Sequence, residues 1–331
     1  MSLFSQCTLR LRRFFESTNA PALALAEQQL ILQAQAIAEK NRQKNSLKNI
    51  NEVEFKAFSQ WGEDGIIDWL ISRLPSINPS FVEFGVSDYK ESNTRLLLQS
   101  KNWRGLVIDG SVDNISAIKS QEIYWKYDIE AKQAFITAEN INTLINESGF
   151  KDDIGLLSVD IDGNDYWVWE AITTISPAIV ICEYNTALGD IYPLTVPYQP
   201  DFQRAQAHHS LLYFGASIQA LISLGKQKNY TCIGSTFSGC NVFFIRNDLA
   251  HHVLDSLEEI SVYPCKAREA RGKTGEMLYI DGIEGADMIS HLPIIDTSEN
   301  QPTKNINLAS KSNLFSQEWL SGNGVNLENS I

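Results

Sequence analysis

The chain has only five cysteines, Cys7, Cys182, Cys232, Cys240 and Cys265, an odd number with no pair at C-x-x-C spacing. This argues against a structural zinc site and against a disulfide scaffold. Cys182 and Cys232 lie inside apolar runs and read as core filling. Basic residues are in deficit too: 27 Lys and Arg face 40 Asp and Glu, a formal charge of -13. That sign gives no general support for binding nucleic acid or an anionic membrane. No run of 18 apolar residues occurs, so no membrane span is expected. Met1 to Arg13 carries arginines without the apolar stretch and cleavage site of a secretory leader. The expectation is a soluble, cytoplasmic protein. Also missing is the G-x-G-x-x-G loop whose glycines let backbone approach a pyrophosphate.

What is present is core material: 44% of the 331 residues are hydrophobic, and the length allows two small domains or one large one with appendages. Residues 22–42 are strong helix formers without Gly or Pro. Leu23, Leu30 and Ile37 recur seven apart there, an apolar face suited to the body or to a second copy, and a homodimer is expected. We divide the chain into a helical arm at 1–50, an α/β domain at 51–295 with an insertion at 186–210, and a polar tail at 296–331. Within the tail, Phe315, Trp319 and Leu320 form one anchoring patch.

Five short apolar runs mark the middle: PSFVEFG at 79–85, RGLVIDG at 104–110, EIYWKYDI at 122–129, DIGLLSVDIDG at 153–163 and PAIVICEYN at 177–185. Helix-capable segments separate them, and a further helix at 215–227 precedes two close strands, NYTCIGS and NVFFIRN. Strands alternating with helices predict an α/β fold, a mostly parallel sheet with helices on both faces and a C-terminal antiparallel hairpin. Every run ends in or meets an acid: Glu83, Asp109, Asp128, Asp160 with Asp162, and Glu183 followed by Asn185. In an open parallel sheet ligands bind at the carboxyl ends of the strands, so these acids are expected on one rim. Carboxylates there disfavour a diphosphate. They suit a cofactor with ribose hydroxyls, an ammonium group and a cationic centre, the groups of S-adenosylmethionine.

The segments SQWGED at 59–64, FVEFGVSDYKESNT at 81–94, GLVIDGS at 105–111, LLSVDIDGNDYWVWEAI at 156–172 and ICEYNTALG at 181–189 resemble the FkbM-like branch of class I methyltransferases dependent on S-adenosylmethionine. The likeness spans about residues 55–250 and leaves out the arm and the tail. It implies a Rossmann-like class I fold and methyl transfer to a hydroxyl of a small polar acceptor, a sugar or glycan precursor, free or nucleotide-linked. It also implies a set of cofactor contacts. Glu83, Gly85, Ser87, Asp88 and Asn93 would hold the methionine and ribose portions, Asp109 with Gly110 and Ser111 the ribose hydroxyls, and Asp128 the adenine amino group. Ser59, Gln60 and Glu63 would close over the cofactor, and Asp160 would contact it. Ser87 stands where the usual E-x-G-x-G loop has its second glycine.

Asp160, Asp162, Glu183 and Asn185 offer hard oxygen ligands suited to Mg²⁺ or Mn²⁺, similar to metal-dependent class I O-methyltransferases. The same carboxylates can instead hydrogen-bond substrate or backbone. His208 and His209, after the insertion, are candidates for the base that takes the hydroxyl proton, with Asp162 a further one. Tyr166, Trp167 and Trp169 could stack on a sugar, though packing between helix and sheet suits at least one of them. The run KAREARGK, with Lys266, Arg268, Arg271 and Lys273, is either solvated surface or a contact for an anionic acceptor group. Two other readings stay open: a Rossmann-class sugar-nucleotide oxidoreductase or epimerase, which the missing glycine loop disfavours, and a noncatalytic binding module or scaffold.

Overall fold

A computed structural model of the chain describes residues 3–267, 270–280, 282–298 and 305–327, with side chains described from Pro21 onward. Its centre is a seven-stranded sheet of β1 (Ser80–Phe84), β2 (Arg104–Asp109), β3 (Ile129–Gln133), β4 (Asp152–Val159), β5 (Ile175–Glu183), β7 (Tyr230–Ser235) and β8 (Asn241–Arg246). The order is β3-β2-β1-β4-β5-β8-β7. The first five strands run parallel, whereas β8 is antiparallel to both β5 and β7. This is the expected mostly parallel α/β sheet with its antiparallel hairpin. The order reverses between β1 and β4, which opens a crevice beyond their carboxyl ends.

Side-chain alternation along the buried strands feeds two cores. Val82, Phe84, Leu157, Val159 and Phe244 face one layer, built with α6 (Ile141–Glu147), α7 (Asp165–Ala171) and α9 (Ile218–Gln227). Phe81, Leu156, Ile179 and Phe243 face the other, built with α2 (Glu63–Arg73), α3 (Arg95–Lys101), α4 (Val112–Ser120) and α10 (Asn247–Leu254). A strand buried on both faces reads as a continuous apolar run, which is why β1, β2, β4 and β5 were visible in the sequence. Trp169 lies in the first core with its ring 4.9 Å from that of Phe244, and Trp167 Nε1 donates to Val196 O at 2.8 Å. Both tryptophans therefore serve packing.

The third strand differs from expectation. EIYWK forms a short helix, α5 (Glu122–Lys126), and the strand is the following IEAKQ. It is an edge strand, half-covered along its length, so it lacks the continuous apolar signal of its neighbours. The shift displaces Asp128. It precedes β3, lies beside Arg104 at the amino end of β2, and is exposed. It sits at the end of the sheet opposite the crevice, which corrects its assignment to the adenine amino group.

Helix α1 (Leu3–Arg42) lies against the α2 and α3 side of the sheet. Ala34 and Ala38 are buried, while Leu23, Leu25, Leu32 and Ile37 are exposed. Arg95, itself buried, joins this helix to the loop after β1: its guanidinium donates to Glu27 Oε1 at 2.6 Å and to Tyr89 O at 2.7 Å. Beyond β5 the insertion contributes β6 (Leu194–Thr195) and α8 (Arg204–Ala207). The C-terminal region adds β9 (Ser261–Val262), α11 (Gly282–Ile289), β10 (Pro293–Asp296), β11 (Asn305–Asn307), α12 (Gln317–Leu320) and β12 (Val325–Asn326). Strands β11, β10 and β6 form a separate antiparallel sheet, and β12 pairs with β9. Trp319 is 3% exposed and packs into the first core. No described helix is long and apolar enough to cross a membrane.

Candidate active site

The loop after β1 is the tightest place in the crevice. Gly85 has φ +70°, and a Cβ added there would lie 1.6 Å from the backbone oxygen of Asp160. Only glycine lets the loops after β1 and β4 pass this closely. Ser87 also adopts positive φ (49°), and its N–H donates to Asp109 Oδ2 at 2.8 Å. Asp109 Oδ1 accepts from Ser111 N at 2.8 Å and from Asn114 Nδ2 at 3.0 Å. Asp109 thus ties the β1 loop to the start of α4, where Ser111 is the N-cap. Its carboxylate still lines the crevice together with Gly110.

Three cavities follow one another along this rim. The first, about 300 Å³, is lined by Gln60, Glu83, Gly85, Ser87, Asp88, Asn93, Asp160 and Asn241 among others. The second, about 310 Å³, shares Gly85, Ser87 and Asp160 with it and adds Asp109, Gly110, Phe135, Asp162 and Phe202. A third of about 530 Å³ shares Phe135, Ile161, Asp162 and Phe202 with the second and reaches Arg204 and Arg271. The shared residues make one cleft, with Asp160 at the junction of its first two chambers.

Several predicted contacts are committed to holding the walls. Glu83 is fully buried, and its carboxylate accepts from Ser92 Oγ at 2.6 Å, Asn93 N at 2.9 Å and both Thr94 N and Oγ1. Burial raises its pKa against the pull of those donors. Asn93 Nδ2 reaches Ser158 Oγ, so the β1 loop is stapled to β4. Glu63 accepts from Trp61 N, Gly62 N and Asn241 Nδ2 and is buried. Gln60 is exposed at the rim of the first chamber. Burial would raise the Asp88 carboxyl, but Lys90 Nζ at 2.5 Å and Lys90 N hold it below the ordinary value.

The acids beyond β4 and β5 are rearranged relative to expectation. Asp160, Asp165 and Glu183 bring one carboxylate oxygen each within 4.8 Å of the others, and no other such group exists among the described residues. Burial raises the pKa of Asp160, and the charges of Asp162 and Asp165 push it further; burial and the charge of Asp160 do the same to Glu183. A hydrogen bond to Glu183 and the charge of Arg204 oppose the rise at Asp160. Glu183 Oε2 is buried with no hydrogen-bond partner. Asp165 is raised to about 6 by burial, opposed by the N–H groups of Ile161 and Gly163, which it accepts at 2.8 and 2.9 Å.

Asn185 and Asp162 stand outside this cluster. Asn185 Nδ2 donates to Leu212 O and Phe214 O, and its Oδ1 accepts from Ala187 N. With donors and acceptor engaged by backbone it is not placed to ligate a metal, which corrects that assignment. Asp162, at φ 55°, points outward to Arg204 Nη1 at 2.5 Å. Arg204 also stands 3.9 Å from Glu183 and lies over the Phe214 ring at 3.6 Å. Neither His208 nor His209 lines the three chambers. His208 Nδ1 pairs with Ser210 Oγ at 2.7 Å, and its ring lies 4.1 Å from His209 and 5.8 Å from His291. Burial and the two neighbouring imidazoles lower its pKa.

Sequence reasoning missed Asp165, Arg204, Phe135 and Phe202. Asp165 had a usable signal, an acid at the start of the helix after β4. Arg204 and the two phenylalanines come from loops whose paths only packing defines. Within the basic run, Arg271 reaches the third chamber and Lys266 lies over the Phe237 ring, while Arg268 falls outside the described residues.

No protein-family model matches the sequence, and no curated protein does. Solved structures similar to this chain include the N-terminal domain of EvdMO1 with SAH bound, at 12% identity and a TM-score of 0.37, covering 54% of this chain and 78% of that one. The same domain in the presence of SAH and D-fucose matches at 11% identity and 0.38, over 66% of this chain and 95% of that one. An S-adenosylmethionine-dependent methyltransferase from Clostridium acetobutylicum matches at 9% identity and 0.35, over 56% and 90%. The first of these has SAH bound and the third is a methyltransferase; likeness at this level carries no argument about the activity of this chain.

Proposed function

We propose that the chain is an S-adenosylmethionine-dependent methyltransferase of the FkbM-like branch, acting on a hydroxyl of a small polar acceptor, a sugar or glycan precursor. The observation that carries this reading is the joined cleft. Gly85 brings the loops after β1 and β4 together, Asp109 lines the second chamber, where it would accept from ribose hydroxyls, and Asp160 marks the junction of two chambers. The first chamber takes the amino-acid end of the cofactor and the second its nucleoside, with Phe135 against the base. The sulfonium then lies near Asp160, whose carboxyl offsets its charge. The acceptor enters by the third chamber.

Transfer needs the acceptor oxygen, the methyl carbon and the sulfur in line, and positioning is the main source of rate. Asp160 and Glu183 are the nearest groups able to take the hydroxyl proton, because burial and mutual repulsion leave them more basic than an ordinary carboxylate. The donor set of Asp160, Glu183 and Asp165 also fits a hard divalent cation, and the unpartnered Glu183 Oε2 supports that fit. Mg²⁺ or Mn²⁺ held there would lower the pKa of a bound hydroxyl.

Calorimetric titration with S-adenosylhomocysteine and with NAD tests the class. Binding of the first and silence of the second is expected. Binding of NAD alone would replace this reading with the dinucleotide one. A screen of sugars and nucleotide-linked sugars, following methyl transfer from labelled cofactor, tests the acceptor.

A further inference from the structure

Away from the cleft, two thiols face each other across separate chain segments. Cys240 closes the turn between β7 and β8, and Cys265 lies 25 residues on, past β9. Their sulfurs are 3.5 Å apart. Neither is bridged in this structure. We propose that Cys240 and Cys265 are a dithiol pair that forms a reversible disulfide.

The backbone around them is already in bridging contact. Lys266 N donates to Ser238 O at 2.7 Å. At Gly239, with φ +76°, an added Cβ would meet Pro264 O at 2.2 Å, so the two segments approach as closely as glycine permits. The Lys266 ammonium lies 3.0 Å from the centre of the Phe237 ring, a second clamp between them. A disulfide needs its sulfurs at about 2.05 Å. The sulfurs must therefore close a gap of 3.5 Å between segments that the backbone contacts already hold together. The pair is also graded in access. Cys240 is 6% exposed, whereas Cys265 is half-buried and lines a cavity of about 450 Å³ that reaches Asn185 and Thr186 at the end of β5. Ala267 N donates to the Cys265 sulfur at 3.3 Å. Cys265 is therefore the thiol an oxidant meets first, and Cys240 the one that resolves the adduct.

With a glutathione-type disulfide as oxidant, the steps balance. The Cys265 thiolate attacks one sulfur of the oxidant, forming a protein–glutathione disulfide and releasing one glutathione thiolate. Cys240, losing its proton, attacks the Cys265 sulfur and expels the second glutathione. Two protein thiols are oxidised and one oxidant disulfide is reduced to two thiols. The bond fastens the wall formed by Pro264 to Ala267 onto the β7–β8 turn, beside Tyr184, whose N–H donates to Cys240 O.

The test treats the full-length native chain with oxidised glutathione, quenches with acid, alkylates and maps peptides by mass spectrometry. The expected product is one linked pair joining Cys240 to Cys265, two hydrogens lighter than the dithiol and cleaved by dithiothreitol, with the buried Cys182 and Cys232 still reduced. In Cys240→Ser, the glutathione adduct on Cys265 should accumulate because nothing resolves it. Stable glutathionylation of Cys265 in the wild type, to the extent seen in Cys240→Ser, overturns the proposal. So does recovery of both wild-type thiols in reduced form.

Discussion

Substituting Gly85 by Ala tests the geometry of the cleft at its narrowest point. The added methyl carbon would lie 1.6 Å from the Asp160 carbonyl oxygen and 2.8 Å from its carbon. Carbon and oxygen come no closer than about 3.3 Å even in favourable contacts. The loop after β1 or the loop after β4 must therefore retreat by roughly half that distance. Alanine at φ +70° adds about 1–2 kcal/mol of backbone strain, and overpacking adds about 1–3 kcal/mol. We expect Gly85→Ala to lose about 2–5 kcal/mol of stability. Binding of S-adenosylhomocysteine should weaken in the fraction that folds, since the retreat also moves Ser87 N away from Asp109. Gly110→Ala is the control: its added Cβ meets nothing nearer than Phe135 Cδ2 at 3.6 Å, so stability should change by less than about 1 kcal/mol. Urea titrations of the three proteins measure the difference, and calorimetry follows the ligand. An unfolding midpoint for Gly85→Ala equal to that of the wild type would refute the close passage of the two loops.

Asp109→Ala should weaken S-adenosylhomocysteine binding by about 1.5–3 kcal/mol, the range for hydrogen bonds to a charged group, and unchanged affinity in calorimetry would remove Asp109 from the site. Asp64 accepts three backbone N–H groups through Oδ2 while burial lifts its pKa to about 6. A carboxyl raised on folding favours the native state below its unfolded pKa and loses that advantage as pH rises through about 6. Asp64→Asn, measured by urea midpoints at acid and neutral pH, should therefore show a smaller fall in stability across that window than the wild type; an unchanged fall would contradict the assignment. If a divalent cation activates the acceptor, a chelator should abolish turnover and Mg²⁺ or Mn²⁺ should restore it; full turnover under chelation would leave the Asp160–Glu183 pair as base. His208→Ala should retain most turnover, because His208 lies outside the cleft lining, and a large loss in steady-state rate would return the base role to it. A second copy seated on the exposed face of α1 predicts a sedimentation mass above that of the monomer, lost on substituting Leu25 and Leu32 by Lys.

Local pattern carried much of the architecture. Strands β1, β2, β4 and β5 are buried on both faces, and no residue choice except a continuous apolar run satisfies that burial. The acids at their ends, and the single glycine after β1, followed from the same runs because a parallel sheet exposes its carboxyl ends together. Edge strand β3 has only one set of alternate residues to bury, so its pattern was too weak to compete with the aromatic EIYWK beside it. That one-element shift carried Asp128 to the wrong end of the sheet.

Tertiary structure alone decided which polar atoms remain available. Asn185 and Glu83 have the right chemistry at the right strand ends, yet neighbouring backbone groups, and for Glu83 the hydroxyls of Ser92 and Thr94 as well, engage them. Asp165, the first residue of α7, comes instead beside Asp160 and Glu183. Strands β6 and β10 are separated by about a hundred residues yet pair through Thr195 and Ile295, and no local periodicity encodes such a partner. A sequence specifies where burial must occur and what chemistry each residue can offer. Which side chains meet, and which are left with a hydrogen bond still to make, depends on contacts between distant segments that form only when both cores close.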